Sequence, residues 1–182
     1  IDGKVKFYYV GRICYVKGIH VMLEAFHSVD NPAIELHLIG GAGNKQERRY
    51  MDGLQKKYVK DKRIIWHGKV APEDVFEVTR NYHVSSAPST FLEAFGLNIA
   101  EALALGKPVL ATRCGGGEMQ IKDGVNGWLV PPNNPHALAS KIKYIVDNQN
   151  LMPEMSLNCH AIALSHHIVT LYDVYKEALN YK

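Results

Sequence analysis

Short apolar runs alternate with stretches of helical spacing along most of this chain. The runs stop at glycine, proline or polar residues, as buried strands commonly do. They predict six strands, at Val5–Val10, 35–39, 64–67, Val84–Ala87, 108–111 and Gly127–Val130.

Helical patterns fill the intervals between these strands. In the first interval, Ile19, Met22, Leu23 and Phe26 have the i, i+3, i+4, i+7 spacing of one helix face. Further helices are predicted at 46–59, 72–81, Pro135–Asp147 and 168–181, and one begins at Phe95-Gly96-Leu97 and ends before Gly106-Lys107-Pro108.

This alternation predicts an α/β fold with a parallel sheet that is covered by helices on both faces. The 182 residues suit one domain of ordinary size, with a core at about 1–165 and a terminal helix at 166–182. Ligands of such sheets bind beyond the carboxyl ends of the strands, where the strand order reverses.

Composition narrows the classes of partner and compartment. The net charge is +3, and lysine and arginine are scattered among acidic residues, which mildly favours anionic ligands and weighs against nucleic acid. Three widely spaced cysteines predict neither a disulfide framework nor a zinc site, and fit a reducing cytosol. No apolar run reaches about 18 residues, and no signal peptide is visible. Because the chain opens at Ile1 without a methionine, we expect it to be part of a longer protein.

Two glutamates eight residues apart, Glu93 and Glu101, mark the most informative segment. An unbroken helix would point both carboxylates the same way, but the intervening Phe95-Gly96-Leu97 step predicts a bend where the helix begins. Both carboxylates then face one ligand, with free backbone N–H groups between them that suit an anionic molecule. The alternative is a pair of solvated glutamates on a helix surface.

A second cluster follows the first strand. Gly11 allows a tight exit from the strand, and Arg12 and Lys17 flank a loop that leads into a helix. A guanidinium and an ammonium beside a helix start make a clamp for a diphosphate. Taken alone, the same residues are more readily interpreted as two solvated cations on a loop.

Three glycine-containing turns are less specific. Residues 40–43 lack the spacing of a dinucleotide fingerprint and read as a plain strand-to-helix turn. Gly68, between Trp66-His67 and Lys69-Val70, allows the backbone to pass close to a flat ring, or it simply ends a core strand. Residues 112–118 contain three glycines, which either present N–H groups to an anion or form a flexible loop. The histidines show no metal-binding spacing.

Taken together, these residues resemble the carboxyl-terminal, donor-binding half of the retaining family-4 (group 1) glycosyltransferases of GT-B architecture. The resemblance covers about 7–130, and more loosely reaches 175. The ordered motifs that carry it are Gly11-Arg12, Lys17-Gly18, Gly40, Gly68, Pro88-Ser89, Glu93, Phe95-Gly96-Leu97, Glu101-Ala102, Ala104, Gly106, Pro108-Val109, Asp123-Gly124, Asn126-Gly127 and Pro131.

The resemblance implies a Rossmann-like three-layer α/β/α sandwich, one half of a GT-B enzyme, and a set of site residues. It implies that Arg12 and Lys17 hold the donor diphosphate and, with Glu93, act in catalysis. It implies that Glu93 contacts the transferred sugar and Glu101 the ribose. The remaining implied donor-binding residues are Gly11, Gly68, Lys69, Val70, Phe95, Gly96 and Leu97. One departure is that Glu118 and Met119 stand where the family usually has Pro and Glu, so we leave open whether this loop contacts the donor.

The resemblance further implies a hexosyltransferase that uses a UDP- or GDP-linked sugar without a metal or other cofactor. Its acceptor, a glycan or lipid, would be held by an amino-terminal domain that this chain lacks, so we expect the chain alone to be inactive. The full-length protein is expected in the cytoplasm, with peripheral association at the membrane face. One alternative is a non-catalytic nucleotide-sugar-binding module or subunit. Another is a nicotinamide oxidoreductase, but the chain lacks the glycine-rich fingerprint that such enzymes use to bind the dinucleotide.

Overall fold

A computed structural model describes residues 3–165, whose centre is a parallel sheet of six strands. The strand order is β3-β2-β1-β4-β5-β6, and every neighbouring pair is parallel. The strands are β1 (Val5–Val10), β2 (Ile34–Ile39), β3 (Ile64–Gly68), β4 (Val84–Ala87), β5 (Val109–Thr112) and β6 (Gly127–Val130). The order reverses between β1 and β4, which is where a sheet of this type binds ligands.

Seven α-helices connect and cover these strands within the described residues. They are α1 (Ile19–Ser28), α2 (Lys45–Lys57), α3 (Val75–Thr79), α4 (Leu97–Ala104), α5 (Gly116–Gln120), α6 (Pro135–Asp147) and α7 (Met152–Ser165). Single 3-10 turns occur at Tyr15–Lys17, Pro72–Asp74 and Gln149–Leu151.

The helices bury apolar side chains on both faces of the sheet. The larger core joins α1, α2 and α6 to inward residues of β1 and β2 such as Phe7, Tyr9 and Leu36. A second core joins α4 and part of α7 to β5, and Val78 of α3 packs with Tyr8 on that side. Phe7 and Tyr9 lie in one core and Tyr8 in another because successive strand residues point to opposite faces. The predicted Rossmann-like α/β/α sandwich is therefore confirmed.

One predicted helix is wrong, one lies outside the described residues, and two helices of the structure were not predicted. The predicted helix at 72–81 is instead a 3-10 turn followed by the short α3, which ends at Thr79. The glycine-rich segment, expected to be either an anion-binding or a flexible loop, contains helix α5, and α7 was not predicted. The predicted helix at 168–181 lies outside the described residues. The strand bounds differ from the prediction by at most one residue.

Positive charge is concentrated on one flank, contrary to the even scatter expected from composition. Residues 45–63 hold eight Lys and Arg and three acidic residues, a net charge of +5, whereas the whole chain has +3 and the remainder therefore carries −2. Two of the three acids are engaged, Glu47 by Arg12 and Asp61 by Arg63. The exposed cations of this α2 flank are Lys45, Arg48, Arg49, Lys56, Lys57, Lys60 and Lys62. None of the seven forms an ion pair with any residue of 3–165.

Candidate functional site

The loop after β1 is held by a buried tyrosine. The Tyr9 hydroxyl donates to the carbonyl oxygen of Arg12 at 2.8 Å. Gly11 has a φ of +146°, and a Cβ there would lie 2.9 Å from the Tyr9 hydroxyl oxygen, so no other residue fits this turn. Burial raises the pKa of Tyr9 far above its ordinary value, so the hydroxyl stays a neutral donor. The turn therefore fixes where the Arg12 side chain leaves the sheet.

Arg12 projects from this turn toward α2. Its guanidinium lies 3.4 Å from the Glu47 carboxylate, and its side chain is 56% exposed. The same carboxylate accepts a hydrogen bond of 2.7 Å from the Gly43 amide, while the Asn44 side chain caps the Glu47 amide. Glu47 is thus fixed by the helix start, and Arg12 stays near the carboxyl edge of the sheet with most of its surface open to solvent.

Lys17 and Glu93 form an ion pair across two loops. The Lys17 ammonium contacts Glu93 Oε2, and both side chains are about one-quarter exposed, at 24% and 25%. The Ser89 hydroxyl donates to the same carboxylate oxygen at 3.2 Å. The two residues predicted to bind diphosphate and sugar are therefore in direct contact.

These two loops meet backbone to backbone. A Cβ on Gly18 would lie 1.8 Å from the carbonyl oxygen of Pro88, a clash that excludes any side chain at this position. The Thr90 amide donates to the Val16 carbonyl at 2.9 Å. Because these contacts involve the backbone, the separation of Lys17 and Glu93 is set by the two loops and not by flexible side chains.

The turn before α4 bends as the sequence predicts. Gly96 has a φ of +81° and caps α4, which begins at Leu97. Glu93 precedes the turn, and its Cγ would lie 3.5 Å from a Cβ built on Gly96. The first N–H groups of α4 have no carbonyl partner inside the helix, and they carry the positive end of its dipole. An ammonium, a carboxylate and a helix start therefore lie side by side.

Helix α5 supports this turn from below. The Glu93 amide donates to the Cys114 carbonyl at 2.9 Å, and the Gly116 amide donates to the Glu93 carbonyl at 2.7 Å. A Cβ on Gly116 would lie 2.2 Å from the Phe95 carbonyl oxygen. The glycine-rich segment is therefore packed closely beneath the Glu93 loop.

Glu101 lies on the second turn of α4, apart from the Lys17–Glu93 pair. Its side chain is exposed at the tip, but the protein around its base desolvates the carboxyl group and raises its pKa. Burial raises the pKa of Tyr8 in β1, and the charge of Glu101 adds to that increase. Glu101 therefore interacts electrostatically with β1, which is one of the two strands at the order reversal.

Three of the implied donor-binding residues, Gly11, Gly68 and Lys69, form a separate group at the ends of β1 and β3, beside the end of β2. The Gly40 amide donates to the Gly68 carbonyl at 2.7 Å, and a Cβ on Gly40 would lie 1.8 Å from the Gly11 carbonyl oxygen. A Cβ on Gly68, whose φ is +74°, would meet nothing within 4 Å, so this turn borders open space. Lys69 packs over Gly41. Residues 40–43 are the strand-to-helix turn that we predicted.

The predicted residues therefore fall into two groups on either side of the strand reversal. Lys17, Glu93 and the turn before α4 form one, and Gly11, Gly68 and Lys69 lie in the other, where Val70 packs with the Tyr8 core. Arg12 pairs with Glu47, which was not predicted, and forms no ion pair with any other residue of 3–165. A cavity of about 10 Å³, room for roughly one water, lies under Ser89 and Glu93. The site is thus an open surface along the sheet edge.

Four residues that support the site were not predicted from the sequence: Tyr9, Glu47, Thr90 and Gln120. Glu47 carries a usable signal, because Asn44 followed three residues later by Glu is a capping pattern. Thr90 and Gln120 act across long sequence separations, and the bond from Tyr9 to Arg12, three residues on, has no mark in the sequence pattern. Within residues 3–165, no helix is long and apolar enough to cross a membrane.

Comparison with known proteins adds an independent line of evidence. The model of the family described as glycosyl transferases group 1 matches residues 1–160. The chain is 31% identical over 181 residues to the D-inositol 3-phosphate glycosyltransferase of Corynebacterium kroppenstedtii, covering 94% of this chain and 40% of that protein. It therefore spans well under two thirds of the length of the curated relatives that it matches.

Two solved structures share the fold over nearly the whole chain. One is Alr3699/HepE of Anabaena in complex with UDP and glucose, with a TM-score of 0.83 and 26% identity over 99% of this chain and 49% of that chain. The other is the carboxyl-terminal domain of LpcC, a glycosyl transferase group 1 family protein of Francisella tularensis. Its TM-score is 0.80, with 26% identity over 92% of this chain and 88% of that chain.

Proposed function

The chain belongs to the group 1 glycosyl transferases, and on that premise we propose that it is the part of such an enzyme that binds the nucleotide-sugar donor. The donor is a UDP- or GDP-linked hexose, and the whole protein transfers the sugar to a glycan or lipid in polysaccharide, lipopolysaccharide or glycolipid synthesis. UDP in the similar HepE structure supports the class of donor.

One observation carries the proposal: the Lys17–Glu93 pair lies beside the start of α4. A diphosphate needs cations and N–H donors, and a sugar needs acceptors for its hydroxyl groups. Lys17 and the first amides of α4 supply the former, and Glu93 supplies the latter. Few ligands other than a nucleotide sugar require cations, N–H donors and a carboxylate acceptor so close together.

The same groups would favour the chemical step. Sugar transfer breaks the bond between the anomeric carbon and the diphosphate, so negative charge grows on the leaving phosphate. Lys17, Arg12 and the α4 N-terminus offer fixed positive charge to that phosphate, which lowers the barrier by electrostatic preorganisation. This charge can take the place of a metal, so donor binding is expected without one. We propose that the reaction retains configuration, with the donor phosphate accepting the proton of the attacking hydroxyl.

The acceptor site belongs, on this proposal, to a preceding amino-terminal domain. The donor surface of residues 3–165 is open along the sheet edge, and nothing in it positions a second substrate. Orientation of two reactants supplies several kcal/mol of rate enhancement, by rough estimate, and this is forfeited in the isolated chain. Sugar transfer by the 182 residues alone would contradict this assignment of donor and acceptor sites to two domains. It would indicate that the active site is complete within these residues.

Calorimetric titration tests the proposal directly. The chain is titrated with UDP, GDP and ADP and with their glucose and mannose conjugates, once with EDTA and once with magnesium. We expect one base to bind in both conditions and its sugar conjugate to bind at least as tightly. Absence of binding by every nucleotide would overturn the proposed function, and binding that requires magnesium would overturn its metal-independent form. Donor binding in a full-length product that shows no transfer would identify a non-catalytic binding module.

A further inference from the structure

Helix α5 places one polar side chain directly beneath the turn that precedes α4. Gln120 is 4% exposed, although its neighbours along the same core are apolar. Burying a side-chain amide costs free energy unless its polar atoms are hydrogen-bonded. An amide at this buried position therefore needs a specific reason.

The amide nitrogen of Gln120 is surrounded by backbone acceptors. It donates to the carbonyl oxygen of Phe95, and it lies 3.4 Å from the carbonyl oxygen of Gly96 and 3.3 Å from that of Gly116. With three oxygens on this side, only the NH₂ end of the amide can face them, so the orientation of the side chain is fixed. Its own oxygen atom has no partner among the described residues.

Gln120 is itself anchored by the segment that follows it. The Asn126 side chain, which is fully buried, donates to the Gln120 carbonyl at 3.0 Å and accepts from the Lys122 amide at 2.7 Å. The Gln120 backbone is therefore held independently of the loop that its side chain contacts. Because its backbone is held in place, the Gln120 side chain can determine the conformation of the Phe95-Gly96 loop.

That geometry determines where the N–H groups of the turn point. In a planar trans peptide the C=O and the N–H lie on opposite sides. Since the Phe95 carbonyl is drawn toward Gln120, the Gly96 N–H must point away from α5. The Gly96 carbonyl is engaged by the Ile99 and Ala100 amides and lies 3.4 Å from the Gln120 nitrogen, so it points along α4, and the Leu97 N–H points out of the start of that helix.

We propose that Gln120 is a positioning residue that fixes the Phe95-Gly96 peptide so that the Gly96 and Leu97 amides face the diphosphate of the donor. This inference rests on the proposed function, because it assumes that a nucleoside diphosphate binds at the start of α4. Without the Gln120 amide the peptide can rotate and present a carbonyl oxygen, which repels an anion, in place of an N–H.

The test variant is Gln120→Met, which keeps the length and the unbranched shape of the side chain but removes its donors. The control is Thr79→Val, because the buried Thr79 hydroxyl also donates to backbone carbonyls, those of Val75 and Phe76, but on α3. Both variants are titrated with UDP and uridine, and with GDP and guanosine. Thermal unfolding of each variant reports on the structural cost of losing such a donor.

We expect Gln120→Met to weaken diphosphate binding about tenfold, equivalent to about 1.4 kcal/mol, and to change nucleoside binding by less than about twofold. Thr79→Val should change neither affinity, even if it unfolds at a similar or lower temperature. In the wild type, the amide NMR signals of Gly96 and Leu97 should shift with the diphosphate but not with the nucleoside, and this difference should be lost in Gln120→Met.

Three results would overturn the inference. Diphosphate binding by Gln120→Met at wild-type strength would show that the side chain only fills space. Equal losses for diphosphate and nucleoside would indicate a general disturbance of the site. Wild-type binding of diphosphate without any change in the Gly96 and Leu97 signals would place the phosphates elsewhere. The absence of diphosphate binding by the wild type would instead contradict the proposed function itself, so the two failures are distinguishable.

Discussion

Replacing Glu93 by glutamine should move the affinities for the diphosphate and for the nucleotide sugar in opposite directions. Glu93→Gln removes the negative charge that faces Lys17 but keeps the size of the side chain. The hydrogen bonds that hold the Glu93 loop, to Cys114 and Gly116, use backbone atoms and remain. The Ser89 hydroxyl can still donate to the glutamine oxygen.

The size of the effect follows from the exposure of the pair. Side chains that are 24% and 25% exposed lie between a surface ion pair, which contributes about 0.2–1 kcal/mol, and a buried one. We therefore assign the Lys17–Glu93 pair about 1 kcal/mol after solvent screening. A phosphate that binds Lys17 must displace this carboxylate. Removing the charge should tighten UDP or GDP binding about fivefold, the factor that corresponds to about 1 kcal/mol.

A nucleotide sugar should respond differently, because Glu93 would accept hydrogen bonds from sugar hydroxyls. A hydrogen bond to a charged group contributes about 1.5–3 kcal/mol. Subtracting the gain at Lys17 leaves a net loss of about 0.5–2 kcal/mol, or roughly two- to thirtyfold in affinity. The preference for the nucleotide sugar over the bare diphosphate should therefore fall in Glu93→Gln.

Calorimetry of the wild type, Glu93→Gln and Glu154→Gln measures both affinities at low and high salt. Glu154 is exposed in the first turn of α7, so its substitution makes the same change in net charge away from the site. It should leave both affinities within about twofold. Weaker binding of the bare diphosphate by Glu93→Gln would refute the displacement of the ion pair, and unchanged binding of the nucleotide sugar would remove Glu93 from the sugar site.

Three further predictions concern other residues. Arg12→Ala should weaken diphosphate binding by about 1.5–3 kcal/mol and nucleoside binding far less, whereas Arg48→Ala on α2 should change affinity little, as titration will show. The hydrogen bonds of Arg63 hold the pKa of Asp61 well below its ordinary value, so Asp61→Asn should lower the free energy of unfolding by about 2–3 kcal/mol at pH 7. This difference shrinks below about pH 4, where Asp61 binds a proton in the unfolded wild type but not yet in the folded one. Burial and two nearby lysines lower the pKa of His83 to about 4, so the free energy of unfolding should fall as the pH drops from about 6.5 to about 4. In denaturant titrations, His83→Asn should reduce this loss of unfolding free energy by up to about 3 kcal/mol.

The sheet could be predicted from the sequence because its strands are short, apolar and bounded by turn residues. Three of the six strands, among them Val84–Ala87, have the predicted bounds. Helix α5 was not predicted, because two glycines in five residues disfavour a helix and its close packing beneath Phe95 overrides that preference. Helix α7 was not predicted because its apolar residues do not form a clear stripe on one face.

The candidate site could be predicted as a set of residues but not as a set of contacts. The motifs named Lys17 and Glu93, yet their ion pair depends on two loops that are separated by 76 residues and meet at Gly18 and Pro88. Arg12 was expected to act with Lys17, but its partner is Glu47 on α2. Contacts of this kind arise from topology, which residue spacing alone does not encode.

The cationic α2 flank has a consequence for how fast a ligand arrives. Helix α2 begins at the carboxyl edge of the sheet, where Glu47 meets Arg12, and the exposed Lys45, Arg48 and Arg49 of its first turns lie near that edge. The chain outside residues 45–63 is weakly acidic. These cations create a positive potential, and we expect a nucleotide with two or more negative charges to associate faster than an uncharged nucleoside because of it. At physiological ionic strength the potential is screened within about 8 Å, so added salt should lower the association rate. The dissociation rate depends on the contacts at the site and should change less.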